Sequence, residues 1–121
     1  MRTDVTIIGG GFAGTSAAIT LARANRSVLL VDDGKPRNRF SEHAHGILAW
    51  DSVNPTDLLR RGHAEFETFG GALVRDRAEN LTNVNGRWSV TLASGDVIES
   101  PHVLVATGTV SYTHLTLPTI C

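Results

Sequence analysis

The sequence has little cysteine, little net charge and no long hydrophobic run, and each scarcity excludes a class of protein. Cys121 is the only cysteine among 121 residues, which excludes an internal disulfide and a cysteine-based zinc site in this chain. The formal net charge of -1 gives no electrostatic basis for binding nucleic acid or an anionic membrane. No apolar stretch approaches the roughly 20 residues that a membrane-spanning helix requires. Since Met1–Asp4 leads into a predicted strand without a signal peptide, we expect one cytoplasmic domain.

A glycine-rich segment at residues 9–14 (GGGFAG) lies between a predicted strand and a predicted helix. The apolar run Val5–Ile8 precedes it, and a helical pattern follows that ends near Asn25. A second apolar run, Ser27–Val31, stops at two aspartates. This order of strand, glycine turn, helix, strand and acid predicts a βαβ unit that binds a dinucleotide.

The spaced glycines and the acid in that pattern each have a physical task. Gly9 permits the tight turn, Gly11 lets the backbone approach a pyrophosphate, and Gly14 lets the helix pack close to the strand. Asp32, placed beyond the end of the second strand, can accept hydrogen bonds from a ribose diol. The alternative is a purely structural glycine turn with Asp32 and Asp33 as a solvated pair, which explains Asp33 well and the three spaced glycines poorly.

The remainder of the chain predicts one more helix and a short antiparallel meander. Pro55 suits the first turn of a helix capped by Asn54, and Gly70 with Gly71 would end it before a short strand at 72–74. Turns at 85–86 and 93–96 separate three further strands, and the apolar run from His102 suits a buried parallel strand. On the first helix we expect a small-residue face formed by Ala13, Ala17, Ala18, Leu21 and Ala22, and on the second a face formed by Leu58, Leu59, Phe66 and Phe69.

The last residues resemble translated laboratory DNA. Val110–Thr119 agrees at all ten positions with one reading frame of the adapter used in transposase-based sequencing libraries. We therefore expect 1–109 to be the N-terminal segment of a cofactor-binding domain and 110–121 to be a non-native tail. The alternative is a genuine strand and turn interrupted at Pro118.

Three features together make the chain resemble the FAD-binding segment of flavoproteins with two dinucleotide-binding domains. They are the glycine motif near Met1, the meander crossover, and the strand ending in residues 106–108 (ATG). Within that group, the segments 36–40 (PRNRF) and 43–46 (HAHG) are similar to thioredoxin-reductase-like oxidoreductases, including dithiol oxidases of the gliotoxin type. The resemblance implies an α/β, Rossmann-like FAD-binding three-layer fold with a parallel sheet and a β-meander crossover, incomplete at the C-terminus.

The same resemblance implies a set of cofactor-binding residues. The glycine motif would contact the FAD pyrophosphate, and Asp32 would bind the adenosine ribose. Arg37 and Asn38 would lie near the ribose and phosphates, and His45 and Gly46 would approach the flavin ring. Adenine would rest near residue 78, and the ATG strand end would pass near the cofactor. The full set is Gly9, Gly11, Phe12, Ala13, Gly14, Asp32, Asp33, Arg37, Asn38, His45, Gly46, Ala78, Ala106, Thr107 and Gly108. His43, His63 and His102 have no spaced partner and are assigned no role, and no catalytic or metal-binding residue is expected in this chain.

The resemblance implies an FAD-dependent NAD(P)H oxidoreductase that passes hydride to FAD and electrons to a small-molecule or protein disulfide, or to another acceptor. Members carry their Cys-x-x-Cys pair in an NAD(P)H domain that is absent from this sequence, and they are usually homodimers. We therefore expect the chain alone to be inactive. Another flavoenzyme of the same fold, such as a ferredoxin or flavodoxin reductase or a monooxygenase, and a non-catalytic dinucleotide-binding fragment remain alternatives.

Overall fold

The computed structural model describes residues 1–34 and 55–106, which form seven strands and two helices. In chain order these are β1 (Val5–Ile8), α1 (Phe12–Arg23), β2 (Val28–Asp32), α2 (Pro55–Thr68), β3 (Ala72–Arg75), β4 (Ala78–Val84), β5 (Arg87–Leu92), β6 (Val97–Ser100) and β7 (His102–Val105). Within these ranges no helix has the length and apolarity needed to cross a bilayer.

A four-stranded parallel sheet forms the centre of the fold. Its strand order is β3-β2-β1-β7, with Val5 in register with Val28 on one side and with His102 on the other. Every residue of β1 and β2 is buried, as expected for parallel strands covered on both faces. Asp32 is the last residue of β2, so our placement of this aspartate beyond the strand was one residue too far.

The crossover from β3 to β7 is a three-stranded antiparallel meander, β4-β5-β6, as the turn signals predicted. At the first turn Asn85 and Gly86 have φ values of 54° and 79°, the left-handed pair that a two-residue hairpin turn requires. The predicted three-layer Rossmann-like arrangement is therefore confirmed.

Two apolar clusters hold the three layers together. The side chains that β1 and β2 direct to one face, including Ile7 and Leu30, pack against Ala18 of α1 and Phe66 of α2. Those on the opposite face pack against the meander in a second cluster, whose buried members are Ile8, Leu29, Val31, Ala78, Leu81, Val90, Leu92, Ile98, Val103 and Val105. The parallel sheet is thus fixed from both sides, and the carboxyl ends of its strands lie together at one edge.

The two helices depart from the sequence expectations at one position each. In α1, Ala13 is exposed, and Gly14 and Thr15 are buried beside Ala18 and Ala22. Ala13 lies in the first turn, ahead of the stretch that packs on the sheet, so it was wrongly assigned to the small-residue face.

The second helix ends before the residue that we expected to complete its apolar side. Phe66 is fully buried, whereas Phe69 follows the end of α2 and is 43% exposed. Its ring lies 5.6 Å from the Arg23 guanidinium, at the surface. The chain then turns at Gly70, which has φ 93°, as the paired glycines predicted.

Candidate functional site

The glycine loop between β1 and α1 is anchored by backbone hydrogen bonds to both neighbouring strands. The Gly9 N–H donates to the Val31 carbonyl at 2.8 Å, and the Ala106 N–H donates to the Ile8 carbonyl at 2.8 Å. Gly9 has φ 117°, a conformation that side chains with a Cβ rarely adopt. The tight turn predicted at Gly9 is present, and it places the start of α1 above the carboxyl ends of β1 and β2.

Gly14 is required where the helix crosses the loop. A Cβ on Gly14 would overlap the Gly9 carbonyl oxygen and would contact Ile7 Cγ2 at 3.5 Å. The helix can therefore pack closely on the strand only because Gly14 has no side chain, which is the task predicted for this glycine.

Gly11 is the N-cap of α1 and borders open space. A Cβ placed on Gly11 would meet no heavy atom within 4 Å among the described residues, which also supply no side-chain cap for this helix. The first turn contains no acidic residue, and the N–H groups of residues 11–14 have no partner within the helix. These donors and the positive end of the helix dipole suit an anionic phosphate group. Phe12 and Ala13 are the first two residues of the helix and are half-buried and exposed respectively.

Asp32 packs directly against Gly10, the middle one of the three consecutive glycines, which we had not assigned to the site. The Asp32 side chain is only 12% exposed, and a Cβ on Gly10 would lie 2.5 Å from Asp32 Cγ. Only glycine at position 10 allows the carboxylate to lie this close to the loop. The three consecutive glycines at residues 9–11, of which the motif requires only two, were the available signal.

The Asp32 carboxylate retains capacity for a ligand. Its Oδ1 accepts a hydrogen bond from the Gly34 N–H at 3.0 Å, and its Oδ2 lies 3.5 Å from Arg75 Nη1 at the end of β3. A carboxylate offers about four acceptor positions, so a ribose diol could be accommodated beside these contacts. Asp33 is half-buried and makes an interaction of its own.

A second unexpected contact joins α2 to the loop. His63 is buried, and its Nε2 lies 2.9 Å from the Gly10 carbonyl oxygen. The same oxygen accepts a hydrogen bond from Thr15 Oγ1 at 3.1 Å. We had assigned no role to His63, although its spacing from Leu59 and Phe66 marks it as part of the inward face of α2.

The structure brings together the glycine motif and Asp32, and it describes two other predicted residues. Ala78 begins β4 and is buried in the cluster beneath the meander, with 3% of the residue exposed. Ala106 directly follows β7 and is half-buried. The other predicted positions, Arg37, Asn38, His45, Gly46, Thr107 and Gly108, lie outside the described residues, as does the tail at 110–121.

The donor set of the loop fits the phosphate and ribose groups of a dinucleotide. Gly11 borders open space at the uncapped start of α1, and the buried Asp32 carboxylate packs on Gly10 directly before it. In residues 1–34 and 55–106, no group of three or more histidine, cysteine, aspartate or glutamate side chains is placed to hold a metal.

Comparison with known proteins identifies a family and several relatives, all of them named as reductases or oxidoreductases. Residues 3–120 match the profile of the pyridine nucleotide-disulphide oxidoreductase family. The chain is 33% identical over 112 residues to a thioredoxin reductase of Aspergillus oryzae, covering 87% of this chain and 34% of that protein. It is 52% identical over 87 residues to the digeranylgeranylglycerophospholipid reductase of Sulfolobus acidocaldarius, covering 71% of this chain and 16% of that protein. The crystal structure of an oxidoreductase from Agrobacterium tumefaciens superposes with a TM-score of 0.82 at 35% identity, covering 89% of this chain and 37% of that one.

Proposed function

The chain belongs to the pyridine nucleotide-disulphide oxidoreductase family, whose thioredoxin-reductase-like members use FAD and NAD(P)H, and we propose that it supplies the part of an FAD site that holds the adenosine diphosphate half. The observation that carries this proposal is the arrangement of Asp32 beside an uncapped helix N-terminus. The chain spans only about a third of the length of the A. oryzae relative, so the activity of a whole protein is part of the proposal.

The described residues have separate tasks in this proposal. The N–H groups at Gly11 and the first turn of α1 bind the pyrophosphate, and the Asp32 carboxylate binds the adenosine ribose. The adenine is proposed to lie near Ala78. Arg37, Asn38, His45 and the ATG end of β7 are proposed to complete the site.

We propose that the whole protein is an FAD-dependent NAD(P)H oxidoreductase of the thioredoxin-reductase-like group. When bound, FAD would accept hydride from NAD(P)H and pass electrons to a disulfide or another acceptor. This chain binds and orients the cofactor and contributes no catalytic side chain, so the chain alone is proposed to be inactive. A homodimer and a cytoplasmic location remain predictions.

A second candidate differs in the electron acceptor. The identity with the Sulfolobus digeranylgeranylglycerophospholipid reductase favours a flavoenzyme that reduces something other than a disulfide. The two candidates share the site described above, and they differ in whether sequence beyond this chain contains a Cys-x-x-Cys pair.

We also propose that residues 110–121 are a non-native tail, because 110–119 match an adapter reading frame at every position. Sequencing the source DNA across the Gly108 codon tests this proposal. A continuation into a second glycine motif with Cys-x-x-Cys would support the tail proposal and the disulfide reductase together. The same codons for 110–119 at the genomic locus would contradict the tail proposal.

The proposed activity is tested on the complete gene product, purified after expression with FAD. We expect the flavin absorbance to bleach on anaerobic addition of NADH or NADPH and to return on addition of a disulfide substrate. Return with other acceptors only would favour the second candidate. A colourless protein that takes up no FAD would contradict both.

A further inference from the structure

We infer that His63, together with Thr15, is a positioning residue that fixes the Gly10–Gly11 peptide in the orientation that binds the cofactor pyrophosphate. This inference rests on the proposed function and extends it to His63 on α2. His63 is proposed to act through the Gly10–Gly11 peptide and not by contacting the ligand. The Gly10 carbonyl oxygen lies in a buried position between the His63 and Thr15 side chains.

The Gly10 carbonyl oxygen has two donors, and the first is the His63 ring. A carbonyl oxygen can only accept, so the 2.9 Å contact between His63 Nε2 and the Gly10 oxygen requires a hydrogen on Nε2. The Thr15 hydroxyl donates to the same oxygen at 3.1 Å. Both contacts are buried, where a carbonyl oxygen left without a donor would be destabilising.

The planarity of the peptide bond transmits this restraint to the ligand side. In a trans peptide the carbonyl and the following N–H point in opposite directions. The two donors, Thr15 on α1 and His63 on α2, hold the Gly10 oxygen and therefore direct the Gly11 N–H to the opposite side of the peptide. Gly11 borders open space and begins the helix whose N–H groups suit a phosphate.

Flexible glycines make such a restraint necessary. Residues 9–11 are all glycine, and glycine has more accessible backbone conformations than any other residue. Without the two donors the Gly10–Gly11 peptide could rotate, and the ligand would have to order it on binding.

A glycine at the contact between α2 and α1 also permits the His63 hydrogen bond. A Cβ on Gly62, the neighbour of His63, would lie 2.8 Å from Thr15 Cγ2. A glycine at position 62 thus lets α2 come close enough for His63 to share an acceptor with Thr15.

The test measures FAD dissociation constants and apo-protein stability for the complete gene product and its variants. His63→Leu removes the donor and keeps an apolar volume, and we expect FAD to bind about five- to tenfold more weakly. His63→Gln places an amide N–H at the same distance along the side chain, and we expect it to restore most of the affinity. Phe66→Leu is the matched control, because it loosens the packing of α2 without contacting the loop. We expect it to lower stability and leave FAD affinity unchanged.

The outcomes separate this inference from the proposed function. If the wild-type protein binds FAD and His63→Leu binds it equally well, the positioning role is overturned and the proposed function stands. If His63→Leu and Phe66→Leu weaken FAD binding alike, the effect is general destabilisation and the positioning role is again overturned. If the wild-type protein does not bind FAD, both fail. Should His63→Leu not fold, Thr15→Val removes the other donor with little change of shape, and unchanged affinity in that variant overturns the inference.

Discussion

Asp32 and Gly10 are in direct contact: a single Cβ on Gly10 would lie 2.5 Å from Asp32 Cγ. The carboxylate at the end of β2 and the glycine loop after β1 are thus parts of one compact structure. The acid that would bind the ribose and the loop that would bind the pyrophosphate are positioned by each other.

The first prediction concerns the substitution Gly10→Ala. The added methyl group must displace the Asp32 side chain, which is only 12% exposed, so we expect both weaker FAD binding, by more than tenfold, and lower stability of the apo-protein, by about 1–3 kcal/mol. Isothermal titration and chemical denaturation measure the two effects.

Gly11→Ala is the matched comparison. Gly11 has φ -75° and ψ -164°, values open to alanine, and a Cβ there meets nothing within 4 Å in the described part of the chain. We expect unchanged apo-protein stability and weaker FAD binding, since the methyl group would occupy the space of the pyrophosphate. Equal FAD affinity in Gly11→Ala and wild-type protein would contradict the placement of the phosphates.

The second prediction assigns the ribose contact to Asp32. Asp32→Ala removes the carboxylate, and we expect roughly a tenfold to hundredfold loss of FAD affinity, the range expected for hydrogen bonds to a charged group. Asp32→Asn keeps an acceptor for the Gly34 N–H and should lose less affinity.

An FAD analogue without the adenosine 2′-hydroxyl provides the control for this assignment. Wild-type protein should bind the analogue more weakly than FAD, because the diol contact is lost. Asp32→Ala should bind the analogue and FAD about equally. A variant that still discriminates between them as strongly as the wild-type protein would show that another group binds the ribose.

The third prediction concerns a buried pair of hydroxyl groups between β1 and β6. Ser100 Oγ donates to the His102 carbonyl at 2.9 Å, so Thr6 Oγ1, 2.8 Å away, must be the donor to Ser100. Thr6→Val keeps the shape and leaves Ser100 without this donor, and we expect a loss of about 1–2 kcal/mol in the free energy of unfolding. Thr3→Val removes a 2.8 Å bond to the Ser27 carbonyl in an exposed setting and should lose less. Equal losses would show that burial does not strengthen the Thr6 contact.

The fourth prediction concerns the pH dependence conferred by Asp76. The Arg77 N–H, at 2.7 Å, and Ser94 donate hydrogen bonds that hold the pKa of the Asp76 carboxyl below its usual value. A carboxyl with a lower pKa in the folded state stabilises the fold above its unfolded pKa, and this contribution disappears as the pH falls through the folded pKa. The difference in denaturation midpoint between wild-type protein and Asp76→Asn should therefore be largest near neutral pH and shrink below about pH 4. A difference that is constant with pH would contradict this role.

Local signals were enough to predict most of the architecture. The βαβ unit follows from apolar runs, glycines and an acid within 32 residues, and the meander follows from turn residues such as Asn85 and Gly86. Each of these signals depends on neighbours in sequence, so the element order could be derived without knowledge of the packing.

The contacts that shape the site could not be predicted in the same way. His63 and Gly10 are 53 positions apart, and their contact depends on how closely α2 approaches α1. A histidine between Leu59 and Phe66 has the spacing of an ordinary core residue, so its polar contact is visible only in the folded chain. The exposure of Ala13 likewise depends on where α1 begins relative to the sheet.

Binding of FAD compared with FMN tests the central claim most directly, because FMN lacks the adenosine that Asp32 is proposed to hold and one of the two phosphates that the glycine loop is proposed to hold. Equilibrium titrations of the purified complete gene product with each flavin give the two dissociation constants. We predict that FAD binds and that FMN binds at least tenfold more weakly, as expected if the adenosine contacts supply much of the affinity. Absence of FAD binding, or equal affinity for FAD and FMN, would contradict the assignment of this site.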